Sequence, residues 1–65
     1  MVMDVRVSQL KAGDVLVATK RTVVLVGKSI DPRKRYVETY RRGEAVIGSA
    51  WRASTTLRVG RQEGQ

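Results

Sequence analysis

No apolar run in this chain outlasts a β-strand, and turn-forming or charged residues interrupt each one. Short runs of this kind, alternating or continuously apolar, read as strands rather than as helices that pack on a core. Residues 2–7 put Val5 and Val7 on one side and Asp4 and Arg6 on the other, the pattern of a half-buried strand. Residues 8–12 are too short for a full helix and predict one turn, which Gly13-Asp14 breaks. A β-branched strand is expected over 15–19 and, beyond the polar link Lys20-Arg21, another over 22–26. The latter is apolar on both faces and reads as the most buried strand.

Gly27 and Asp31-Pro32 mark a loop over 27–34. A strand over 35–41 then sets Tyr36, Glu38 and Tyr40 against Val37 and Thr39. Arg42-Gly43 predicts a hairpin turn into a partner strand over 45–51, where Gly48 suggests a bulge or sharp bend. One helical turn is expected at 52–54 and a last strand at 55–59, with Leu57 and Val59 inward. This order predicts an all-β fold: a small five- to six-stranded SH3-like barrel with one short helical turn before the last strand. Residues 1–59 form the single domain and 60–65 a flexible C-terminal tail. Closure removes most sheet edges, which suits a 65-residue chain that buries only about 60% of its unfolded surface. Without phenylalanine, the core must come from valine, leucine and isoleucine, with Trp51 the one large filler.

Cysteine and histidine are both absent, so disulfides, thiol chemistry and the usual zinc sites are excluded. Nucleophilic catalysis generally needs one of those residues or a pocketed lysine. No enzyme activity, cofactor or metal is therefore expected. Glu38 is expected to pair with a neighbouring cation rather than act as a base. Gly27-Lys28-Ser29 lacks the glycine spacing of a phosphate-binding loop. Neither a signal segment nor a membrane-length apolar stretch is visible, and a reducing cytoplasm fits best.

The formal charge is +7, and residues 20–42 hold eight cations against two carboxylates while the remainder holds five against four. Localised positive charge is the footprint of a polyanion binder, although a merely solvated cationic surface would look the same. The candidate contacts are Lys20, Arg21, Lys28, Arg33, Lys34, Arg35, Arg41, Arg42 and Arg52. The clusters at 33–35 and 41–42 lie about 20 Å apart along an extended strand at about 3.3 Å per residue. Planar guanidinium groups suit phosphate oxygens. Tyr36, Tyr40 and Trp51 are the only aromatic residues and are assigned to packing. Double-stranded DNA bound through its backbone is thus preferred over single-stranded nucleic acid, with RNA not excluded.

Over residues 5–59 the chain resembles small basic SH3-like proteins encoded by actinobacterial phages. The resemblance is carried by VRVSQLKAGD at 5–14, by Tyr36-Val37 after a basic loop, and by WRASTTLRV at 51–59. It implies a phage-encoded protein acting in the bacterial cytoplasm, on nucleic acid at the host nucleoid. A homo-oligomer or filament along DNA is a further expectation, with Asp4, Asp14 and Glu44 mating with basic surface on a neighbour. The rival is a module that binds and inhibits an acidic host protein.

Overall fold

The computed structural model describes residues 1–61 and is all-β. Its strands are β1 (Val2–Arg6), β2 (Val15–Leu16), β3 (Thr22–Lys28), β4 (Lys34–Tyr40), β5 (Ile47–Arg52) and β6 (Thr56–Gly60). They form one sheet in the order β1-β6-β2-β3-β4-β5, every pair antiparallel. No ladder joins β1 to β5 among the described residues. The two ends of the sheet are linked instead by the turns beyond them. The Val7 and Ser8 amides donate to the Thr55 and Ala53 carbonyls at 2.9 and 3.2 Å.

The core is made of Val5, Val7, Leu10, Leu16, Val23, Val37 and Val59, with Met3, Val26, Trp51 and Leu57 packed against it. No isoleucine joins it, contrary to expectation: Ile30 lies fully in solvent and Ile47 is half exposed. Trp51 flanks the core rather than filling it.

β3 is less buried than its composition suggests. Its register against β4 shifts between Val23 and Leu25, so Val24 is an extra residue. Such a bulge breaks the alternation of facing and leaves Val24 and Leu25 successively exposed, at 42% and 45%. The expected strand over 15–19 stops at Leu16 because the chain turns back. The Lys20 amide bonds the Leu16 carbonyl at 2.7 Å, with Lys20 at φ 59°.

Gly48 carries no bulge, since β4 and β5 stay in register past it. Its role is a close approach: a Cβ there would lie 2.7 Å from Tyr36 Cζ and 2.9 Å from Cε1. The tyrosine ring covers the glycine. The β4–β5 connection is longer than a two-residue hairpin, and Gly43 takes φ 85° within it, a conformation that suits glycine. The turn before β6 closes through one bond, Thr55 amide to Arg52 carbonyl at 3.1 Å, and is not helical. The one 3-10 helix among the described residues is at Val7–Gln9, overlapping the turn expected over 8–12.

The ordered fold also runs past residue 59. Gly60 belongs to β6. The Arg61 guanidinium grips Asp14 with two bonds, Nε to Oδ1 at 2.8 Å and Nη2 to Oδ2 at 2.7 Å. Asp14 is 2% exposed, and the Lys11 amide also donates to it. These bonds hold its carboxyl below the ordinary 3.8, the Arg61 hydrogen bonds most strongly and against the opposing effect of burial. The rest of the expected tail, residues 62–65, lies outside the described residues.

Candidate nucleic-acid interface

The nine cations singled out in the sequence divide between the two ends of β4. At its N-terminal end, strand pairing sets Lys28 opposite Arg35 and Lys34 opposite Arg52. Arg33 sits just before β4, in the turn that Asp31 shapes by accepting the Arg33 amide at 2.9 Å. Five cations from three adjacent strands and one turn are thereby gathered. Arg52 is remote from the others in sequence and arrives only through the β4–β5 ladder.

Asp31 is the one carboxylate in this group, and it pairs with Arg33, Oδ1 to Nε at 3.4 Å. The Arg33 amide and then its guanidinium lower the Asp31 carboxyl below its ordinary value. Arg35 turns Nη1 to the carbonyls of Pro32 and Lys34 at 3.3 and 3.0 Å, which leaves its positive charge without an anion. Asp31, Arg33, Lys34, Arg52, Ala53 and Ser54 line a cleft of about 530 Å³. It is shaped by the Ala53 amide bonding the Arg33 carbonyl at 2.9 Å. No motif in the sequence points to Ser54 in this setting.

The C-terminal end of β4 gathers Lys20, Arg21, Arg41 and Arg42 differently. Arg21 is built into the fold, its side chain only 13% exposed. Its Nε donates to Thr39 Oγ1 at 2.9 Å, and Nη2 donates to the Thr39 and Ala45 carbonyls, both at 3.1 Å. Its Nη1 meets Glu44 at 3.3 Å. A guanidinium engaged this fully is a brace for the β4–β5 connection, so Arg21 leaves the set of candidate phosphate contacts. Arg41 shares Glu44 at 3.7 Å. Lys20 and Arg42 are exposed and have no ion pair among the described residues.

The carboxylates expected to mate with a neighbouring molecule have partners within the chain. Asp4 pairs with Arg58 at 3.2 Å, Asp14 with Arg61 and Glu44 with Arg21 and Arg41. Glu38, expected to pair with a cation, forms no ion pair among the described residues and accepts from the Tyr36 hydroxyl at 2.8 Å. That bond leads the causes that raise the Tyr36 phenol above its ordinary 10.0. Tyr36 is thus held between Gly48 and Glu38, and Tyr40 is the more exposed of the two tyrosines.

No group of three or more potential metal ligands occurs among the described residues, and no helix is long and apolar enough to cross a membrane. No family model matches the chain, and no curated protein or solved structure matches it at a significant level.

Proposed function

We propose that this chain binds double-stranded DNA without sequence specificity, contacting phosphates through Lys28, Arg33, Lys34, Arg35 and Arg52. The reading rests on one observation above all: like charges stand directly opposite each other in two cross-strand pairs, Lys28 with Arg35 on one face of the sheet end and Lys34 with Arg52 on the other, with Asp31 their one ion-paired carboxylate among the described residues. Such pairs work against sheet stability, and phosphates that meet this end of the sheet relieve the penalty on the face they reach. Lys20, Arg41 and Arg42 provide a second contact across the length of β4. No helix is available to enter a major groove among the described residues and both clusters are cationic, so the backbone is read rather than the bases.

Assembly along DNA belongs to the same proposal. Its support is not Asp4, Asp14 and Glu44, which are paired internally, but the outer edges of β1 and β5, unpaired among the described residues, and the exposed Val24, Leu25 and Ile47. In this reading the protein acts in a bacterial cytoplasm on the host nucleoid, as the phage resemblance implies. The rival is an acidic host protein, which the open edge of β5 beside the cations favours, because a partner strand can extend it.

A mobility shift on random-sequence duplex, titrating protein and salt, tests the proposal. With about five phosphates contacted, log affinity falls against log salt with a slope of about −4 to −5. Large complexes forming cooperatively support assembly, and a Hill slope of one rejects it. No shift at about 50 mM salt, within the range where such contacts are strong, rejects nucleic acid. A pull-down after nuclease treatment then tests the acidic protein, and RNA competition separates the two nucleic acids.

A further inference from the structure

A cavity of about 720 Å³ is lined by residues of β2, β4, β5 and β6 together with Val17, Ala18 and Thr19. Val7, Leu16, Trp51 and Leu57 give it an apolar wall. That volume falls within the range of small-molecule sites, which are mostly apolar with a few placed polar groups. Its charged lining is all of one sign: cations are present and no carboxylate is. Two of the four lining cations are already engaged, Arg21 with Thr39 and Glu44 and Arg58 with Asp4. Lys34 and Arg52 remain, opposite each other across β4 and β5 and without an ion pair among the described residues.

We propose that this cavity binds a monomeric single-chain amphipathic anion, its alkyl chain against Trp51 and Leu57 and its head group on Lys34 and Arg52. The juxtaposition of an apolar wall with two cations whose one neighbouring carboxylate, Asp31, is already paired with Arg33 specifies both halves of the ligand. A nucleobase fits less well, because its polar edges need partners. The wall of Val7, Leu16, Trp51 and Leu57 offers none, and two of the three threonine hydroxyls in the lining, Thr39 and Thr19, already accept from Arg21. An alkyl chain makes no such demand. A neutral hydrocarbon would leave the two cations with Asp31 alone, which Arg33 already engages.

Trp51 is the only tryptophan of the chain, so its emission reports on the cavity directly. Decanoate, kept below its micelle-forming concentration, is titrated into nuclease-treated protein without duplex. The outcome therefore does not depend on whether the DNA reading holds. The expected result is a saturable change in emission, with decanol binding about tenfold more weakly for want of its charge-assisted contacts. The double variant Lys34→Gln/Arg52→Gln lowers decanoate to the level of decanol, whereas Arg6→Gln/Lys11→Gln, outside the cavity, leaves it unchanged. Equal binding of decanoate and decanol overturns the proposal, as does the absence of a saturable change. Two other occupants also overturn it. One is an anionic membrane surface, revealed by emission that responds to phosphatidylglycerol vesicles and not to monomeric decanoate. The other is a second copy of this chain, revealed by emission that shifts with protein concentration as the measured mass doubles.

Discussion

Arginine does opposite work in two regions of this molecule. Arg21 and Arg61 reach inward and are bonded within the fold, one to Thr39, Ala45 and Glu44, the other to Asp14 and the Gln9 carbonyl. At the N-terminal end of β4, Lys28, Arg33, Lys34, Arg35 and Arg52 stand together with one carboxylate among them. The difference lies in desolvation. A guanidinium that loses water must find acceptors within the protein, whereas one at a solvated sheet end keeps its capacity for an external anion. Cations of the first kind hold the fold, and those of the second are available to a ligand.

The sharpest way to break this comparison is to remove an inward partner. Asp14→Ala leaves Arg61 and the Lys11 amide without their acceptor. It should cost on the order of 3 kcal/mol, the scale for breaking a buried pair, read as a fall in the urea midpoint. At the open end the loss should appear in binding instead. Replacing Arg33, Lys34 and Arg35 together by glutamate should weaken duplex affinity by at least about 100-fold, near 2.7 kcal/mol, with the urea midpoint held. If that variant unfolds, or still binds duplex, the two regions do not divide the work as described.

Arg21→Ala is the crossed control. Loss of its bonds to the nearly buried Thr39 should destabilise the fold by about 2 kcal/mol while leaving the salt slope of DNA binding unchanged. Arg52→Gln should do the reverse, keeping the midpoint and making the slope shallower by about 1. Gly48→Ala should cost about 1 kcal/mol or more by displacing the Tyr36 ring. Gly60→Ala, with nothing within 4 Å of the added carbon, should stay within about 0.5 kcal/mol.

pH separates the regions with the smallest effect. The Asp14 carboxyl is lowered below 3.8, chiefly by its hydrogen bonds from Arg61. Its contribution to stability is therefore complete above the unfolded value and is lost as pH falls through the lower folded one. Thermal stability should drop below about pH 4, and the drop should be smaller in Asp14→Asn. With no histidine in the chain, DNA binding should stay flat between about pH 5.5 and 8.

Much of this was written locally. Alternation over residues 35–41 put Val37 and Thr39 on one face and Tyr36, Glu38 and Tyr40 on the other, because strand facing has a period of two that needs no knowledge of partners, while packing decided that the Val37 face meets the core. The turn residues set the number and order of strands, and the density of cations over residues 20–42 marked the charged region. Only tertiary structure decided which cations remain available. The pairs Lys20-Arg21 and Lys34-Arg35 look alike along the chain, yet Thr39 and Ala45 draw Arg21 into the fold. Arg52 joins Lys34 through the β4–β5 ladder, and Arg61 finds Asp14 from 47 residues away. Whether a charge is satisfied depends on what stands within about 3 Å of it, and that distance is set by strand register, not by sequence neighbours.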